Sequence, residues 1–256
     1  MTGVTIGVGH VHLPLAALAA DCVRQMCGIE VIILTDKEFK ESGLRHPAAL
    51  KLKIFDLVKD DQLFYFDADW FCVNQWPLNR VEIDGSLLAC RDFVLVDDWP
   101  NQYWDTHSGN VSGMDFCYNT DLDFRNERWD YIQDIQNFAP LTLLYYDWIN
   151  TGLFIANRAK HNELFKIALN NYLTFPGNHP KYYEQPAINL AIQECGTKVG
   201  YLDRKKNILV ASRGQWPNTI TGLHVKLKRH PEFIRQVQEK KIVNAEHIRK
   251  YFIFRV

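Results

Sequence analysis

The chain opens with a strand, a helix and a second strand in close succession, and this pattern does most to limit its fold. Val4 to Val8 is a short apolar run with β-branched residues, the signal of a buried strand. Leu13 to Met26 follows, with Leu15, Leu18, Ala19, Cys22 and Met26 on one helical face and Pro14 in its first turn. Val31 to Leu34 then reads as a second strand that ends at Thr35-Asp36. Two strands joined through a helix lie parallel, because the crossover returns the chain to its starting edge.

The alternation continues. Pro47 to Val58 reads as a helix, and Leu63 to Phe66 as a buried strand running into Asp67-Ala68-Asp69. Leu87 to Cys90 reads as a strand ending at Arg91-Asp92, Gly152 to Ala156 as a strand, and Ala159 to Leu173 as a helix. Glu184 to Cys195 has Ile188, Ala191 and Ile192 on one helical face. Val199 to Leu202 and Ile242 to Ala245 read as short strands, with a helix at Pro231 to Gln238 between them. The expected class is α/β, a mixed but mostly parallel sheet flanked by helices, in a single domain over residues 1–256.

Charge and cysteine usage narrow the function classes. A formal net charge of -1 offers no global positive field for nucleic acid or an anionic membrane. The local basic runs, Arg204-Lys205-Lys206 and Lys226 to His230, read as solvated faces. The six cysteines include no CxxC pair and no Cys/His cluster with zinc spacing, so they read as buried free thiols in a reducing compartment. The first ten residues, MTGVTIGVGH, lack the basic region and long apolar run of a signal peptide, and no window approaches the ~18 apolar residues of a membrane span. The expectation is a soluble, cytoplasmic protein.

From Phe93 to Trp148 the periodicity fades and Trp, Tyr, Asn and Asp accumulate. Long irregular stretches inside a domain are commonly functional loops. Trp99, Tyr103, Trp104 and Trp129 offer flat faces on which sugars stack, or else form a small aromatic core of their own.

The chemistry concentrates at Asp67 and Asp69. Residues two apart on an extended chain point the same way, so the two carboxylates would face one side where an apolar strand, Leu63-Phe64-Tyr65-Phe66, emerges. In open α/β sheets that edge binds ligands. Two hard oxygen donors suit Mg²⁺ or Mn²⁺, with coordination left over for phosphate.

On this motif and its neighbours, in order along the chain, the sequence resembles the GT-A glycosyltransferases, most closely those of glycosyltransferase family 8. Thr5 to Thr35 looks like their nucleotide-binding βαβ unit, and Ala49-Leu50-Lys51-Leu52-Lys53 like the segment whose basic residue contacts the donor. Phe64 to Asp69 looks like the metal-binding DxD, and Leu88 to Asp92 like the strand whose terminal acid contacts the donor sugar. Ile149 to Asn157 and Glu184-Gln185-Pro186-Ala187-Ile188-Asn189 resemble the segments beside the reacting sugar, and Tyr201-Leu202-Asp203 through Asn207 the segment that follows.

The resemblance implies a metal-dependent transferase that moves a sugar from a UDP-sugar to an acceptor hydroxyl with retention. Residues 1–92 would form the nucleotide-sugar half and 93–256 the acceptor-binding half. Asp67, Asp69 and His247 would hold Mn²⁺ or Mg²⁺, with His224 as the rival third ligand. Val8, Gly9, His10, Lys51, Gly152 and Lys250, together with Asp67, would line the donor. Asp92, Asn150, Glu184 and Gln185 would surround the transferred sugar. Two departures stand out. Val8-Gly9-His10 occupies the place where the family ends its first strand with an aspartate. His247 is followed by Ile248-Arg249-Lys250-Tyr251 instead of a glycine and a Lys-Pro-Trp run.

Each residue also has an ordinary structural role open to it. Asn150 can turn the chain before a strand, Glu184 and Gln185 can sit in a first helical turn, and Lys51 can be a solvated helix residue. Two other functions remain open. A haloacid-dehalogenase-type phosphohydrolase also places DxD after an apolar strand, but that strand opens its fold and Phe71 stands where it has Thr or Val. A nucleotide-sugar-binding protein with a decayed site would bind donor without turnover.

Overall fold

A computed structural model describes residues 1–81, 84–91, 148–174, 184–210 and 219–252. Asp92 and the aromatic stretch with Trp99, Tyr103, Trp104 and Trp129 lie outside the described residues.

The opening unit folds as its pattern requires. Strand β1 (Thr2–Ile6) is buried throughout. Helix α1 (Gly9–Cys27) carries Leu15, Leu18, Ala19, Cys22 and Val23 on its buried face. It begins four residues before the expected start, so Pro14 lies inside it. The proline withholds one backbone bond from the carbonyl of His10, an exposed residue whose oxygen water can reach. Gly28 ends the helix at φ 68°, with its N–H on the Arg24 carbonyl.

Strand β2 (Val31–Leu34) leads into a short helix that the periodicity did not reveal, α2 (Asp36–Ser42), begun by a capping box between Thr35 and Glu38. Pro47–Lys53 winds as a 3-10 helix and only Ile54–Leu57, α3, as an α-helix. Strand β3 (Gln62–Phe66) follows, then β4 (Trp70–Cys72), β5 (Leu87–Arg91), β6 (Ile149–Asn157), α4 (Arg158–Thr174) and α5 (Glu184–Cys195). The chain continues through β7 (Val199–Tyr201), β8 (Ile208–Val210), β9 (Gly222–Val225), α6 (Pro231–Gln238) and α7 (Ala245–Phe252).

The main sheet has the order β2-β1-β3-β6-β5-β7, and only β6 runs against the rest. Among the described residues it takes strands from both sides of residue 92. A second sheet, β4-β9-β8, is fed by the turn that follows β3.

The two faces of the main sheet bury separate cores, and alternation along the central strands sorts side chains between them. Phe64, Phe66, Leu153 and Ile155 face α1, α6, α7 and the small sheet. Leu63, Tyr65, Phe154 and Ala156 face the 3-10 helix, α4 and α5. Burying each such aromatic contributes about 2–3 kcal/mol before entropy is counted. Phe64, Trp70 and Trp76 interlock edge to face at centroid distances of 5.4–6.4 Å. No helix among the described residues is long and apolar enough to cross a membrane.

One expected strand is corrected. Ile242 to Ala245 is not a strand: Asn244 Oδ1 accepts the His247 N–H at 2.9 Å and caps α7, which begins at Ala245.

Candidate active site

The antiparallel course of β6 brings the site together. Its N-terminal end lies at the edge where β1, β2, β3 and β5 finish. Phe66 pairs with Leu153, and the Asp67 N–H continues the ladder onto the Gly152 carbonyl at 2.9 Å. Toward β5 the register jumps: Ala89 pairs with Phe154 but Cys90 with Asn150. The intervening residues, Thr151 to Leu153, bulge from that side and bring the Gly152 backbone up to the carboxylates.

Asp67 and Asp69 do converge, by a different device from straight alternation. The Trp70 N–H donates to the Asp67 carbonyl at 3.0 Å, so Asp67 to Trp70 is a tight turn between the two sheets. The Val225 N–H donates to the Asp69 carbonyl at 2.8 Å, which ties the turn to β9. Register with Trp70 then sets His224 opposite the turn.

Ligand atoms of Asp67, Asp69 and His224 all lie within 4.8 Å of one another. His224 Nε2 is 3.2 Å from Asp69 Oδ1 and 3.9 Å from Asp67 Oδ2. His247 has no place in this group: it sits on α7, and the helix that replaces the expected strand is what takes it there. His224, the rival candidate, occupies the third position. Desolvation favours a neutral His224 ring, but the carboxylates of Asp69 and then Asp67 outweigh it and hold its pKa above the ordinary histidine value.

Lys51 comes up beneath Asp67. Its side chain is 1% exposed, with Nζ at 3.0 Å from Asp67 Oδ1 and 2.8 Å from Glu184 Oε1. Burial alone would discharge the ammonium; the two carboxylates reverse this and keep its pKa raised. Lys51, expected to contact the donor or else to be a solvated helix residue, is in this structure an internal counter-ion. The Tyr65 hydroxyl donates to Asp67 Oδ1 at 2.6 Å, and burial together with Asp67 keeps it protonated. Burial pushes the Asp67 carboxyl up, but Lys51, His224 and the Tyr65 hydroxyl hold it below the usual range. Glu184 Oε2 is buried without a hydrogen-bond partner among the described residues.

Gly152 leaves room that no other residue would. A Cβ there would meet His224 Cε1 at 2.5 Å and Asp67 Oδ2 at 2.8 Å. Asn150 is buried, with Oδ1 accepting the Gly152 N–H at 3.0 Å. Gln185, in the first turn of α5, accepts the Thr151 N–H at 3.2 Å, and Asn189 bonds both backbone groups of Ile149, so α5 is spliced to β6.

A cavity of ≈ 220 Å³ opens beside Asp67 and Asp69, bounded by Val8, His12, His46 and Pro47. Gly9, next in the chain after Val8, has φ 80° and its N–H on Asp36 at 3.1 Å; His10 is exposed. Burial pushes the His46 ring toward its neutral form, in which Nδ1 accepts the Ala48 N–H at 3.2 Å. Sequence reasoning overlooked His12, His46, Tyr65 and Asn207; a lone His or Asn carries no spacing signal. Lys250 is exposed on α7 and pairs with Glu246 at 2.6 Å.

No protein-family model matches the chain, and no curated protein matches it. Solved structures do match its fold. The galactosyltransferase LgtC, in complex with donor and acceptor sugar analogues, aligns with a TM-score of 0.53 at 15% identity, over 94% of this chain and 96% of that one. A glycosyltransferase involved in glycosylation of the major capsid of PBCV-1 aligns with a TM-score of 0.51 at 12% identity, over 93% and 98% of the two chains. The bifunctional glycosyltransferase WbbM aligns with a TM-score of 0.53 at 11% identity, over 88% of this chain and 45% of that one. At these identities the likeness is one of fold: this chain has the GT-A fold.

Proposed function

We propose that the chain is a metal-dependent glycosyltransferase that moves a sugar from a nucleoside-diphosphate sugar to an acceptor hydroxyl. The observation that carries this reading is the Asp67, Asp69, His224 grouping at the ligand-binding edge of a GT-A sheet. Two carboxylates and an imidazole suit Mn²⁺, or Mg²⁺ with more water retained. The glycine at position 152 leaves the grouping open on one side. A cation bound there would neutralise charge developing on the departing diphosphate.

The remaining roles belong to the same reading. Val8, Gly9 and His10 are assigned to the base of a uridine donor, together with His12 and His46, which line the cavity with Val8. Lys51 fixes the charge and direction of Asp67 and Glu184 instead of reaching solvent. The buried, unpartnered Glu184 Oε2 is an acceptor suited to a sugar hydroxyl. Gln185, held by the Thr151 amide, lies beside it; a retaining reaction needs it on the sugar face opposite the leaving group. Asp92 and Lys250 are kept as donor contacts and Asn150 as a neighbour of the sugar.

A thermal-shift screen of nucleoside diphosphates and their sugars, with and without Mn²⁺, tests the reading. The expected result is a rise in Tm with one nucleoside diphosphate that requires Mn²⁺. No rise with any of them would overturn the assignment. Metal-dependent phosphatase activity without nucleotide binding would replace it.

A further inference from the structure

Behind the metal-facing nitrogen of His224 lies a chain of side-chain amides anchored to backbone. It starts at the Gly152 N–H, which can only donate; the Asn150 atom that meets it at 3.0 Å is therefore the oxygen, Oδ1. The same oxygen faces the amide of Asn207 at 3.1 Å, so the Asn207 atom on that side is Nδ2, the donor. The opposite end of Asn207 is then Oδ1, and His224 Nδ1 lies 3.2 Å from it. An oxygen that accepts there needs a proton on Nδ1. The orientation of both amides, often a matter of choice in a structure, is settled here by one backbone donor. Asn207 is fully buried and Asn150 nearly so.

We propose that Asn207 is a positioning residue for the metal centre: through Asn150 and the Gly152 amide it locks His224 in the tautomer with Nδ1 protonated. Once the ring is deprotonated, Nε2 is the nitrogen that gives up its proton: the Asp69 carboxylate 3.2 Å away is partly exposed and can turn to water, whereas the buried Asn207 oxygen cannot. The proposal rests on the metal-centre reading of that grouping and deepens it. A histidine ligand held from behind keeps its ring orientation and presents one nitrogen only, and loss of such a partner typically lowers metal affinity about 10–100-fold. The relay also explains why Asn150 is asparagine. A hydrophobic residue would satisfy the core but leave both the Gly152 N–H and Asn207 Nδ2 buried without acceptors.

Two measurements on ¹⁵N-labelled full-length protein test it. Two-bond ¹H–¹⁵N spectra of the metal-free protein, taken at alkaline pH with the His224 signal assigned from H224Q, report which ring nitrogen carries the proton. Wild type is expected to show Nδ1–H. Asn207→Leu should mix the tautomers, whereas Asn207→Asp, which keeps the acceptor, should retain Nδ1–H. Visible spectroscopy of Co²⁺ binding should then give an affinity about 10–100-fold weaker for Asn207→Leu than for wild type. Wild type with the proton on Nε2, or Asn207→Leu folded with unchanged tautomer and Co²⁺ affinity, would overturn the proposal. Should Asn207→Leu not fold, the wild-type tautomer and Asn207→Asp still decide. Wild type that takes up no Co²⁺ would overturn the metal reading by itself, and the tautomer would be read regardless.

Discussion

Asp67 and Asp69 stand two residues apart in one turn, yet their surroundings are opposite. Asp67 is committed: one oxygen already holds the Lys51 ammonium and the Tyr65 hydroxyl, and only Oδ2 looks toward His224. Asp69 meets His224 at 3.2 Å and is held to the protein chiefly through its backbone carbonyl. One carboxylate therefore belongs to both the fold and the site, and the other to the site. The difference teaches that a repeated residue in a motif need not carry a repeated role.

The largest expected effect falls on turnover. Asp69→Asn should lower metal-dependent hydrolysis of the nucleotide-sugar donor about 10²–10³-fold, while metal-free stability, compared at a pH where His224 is neutral, stays within about 0.5 kcal/mol of wild type. Asp67→Asn should lose the same activity and destabilise the metal-free protein by about 1–3 kcal/mol, since Lys51 and Tyr65 lose their charged acceptor. Donor hydrolysis assays beside urea denaturation compare the two. Equal stability losses would break the contrast.

Lys51→Met comes next. It leaves Asp67 and Glu184 facing each other without their cation and should cost about 2–4 kcal/mol, moderated because Asp67 opens to water. A stable Lys51→Met protein would mean that Asp67 is no more committed than its neighbour.

A smaller effect is one of pH. Because the His224 pKa is raised in the folded state, its contribution to metal-free stability is full below the unfolded value, about 6.5, and is lost as pH rises through the folded value. A metal needs the ring deprotonated, so affinity should climb over the same window. Asp67 adds a loss only at acid pH, as pH falls from the usual carboxylate range through its lowered folded value. Tm measured in chelator and in Mn²⁺ should diverge as pH increases; parallel curves would remove His224 from the metal site.

The smallest effect is expected at His247. His247→Ala on α7 should leave Mn²⁺ affinity unchanged in calorimetry. A loss there would return the third position to it.

The sequence carried the fold's first sheet well, because Val4, Phe64 and their neighbours form apolar runs whose length and spacing exclude other elements. That Asp67, Asn150, Gly152 and Gln185 meet at one sheet edge was expected only through the resemblance of their segments to a known family. The small second sheet was not legible, since strands of three or four residues such as Trp70–Cys72 and Gly222–Val225 are too short for a period to register. His224 was weighed as the second choice because a strand was expected at Ile242 to Ala245 with His247 after it. Ile242-Val243 suggested a strand, and the competing signal was Asn244, a helix-capping residue. The two ion pairs of Lys51 were not legible, because nothing local distinguishes a lysine that finds two carboxylates from one that meets water.

The turn at Asp67–Trp70 has one more consequence. Its carboxylates end one sheet and begin another, while His224 arrives from far along the chain. An ion held by all three would act as a removable crosslink, shrinking the freedom of the unfolded chain between its anchor points. Chelation should therefore loosen the small sheet first, and amide exchange in β9 would record the ion's departure.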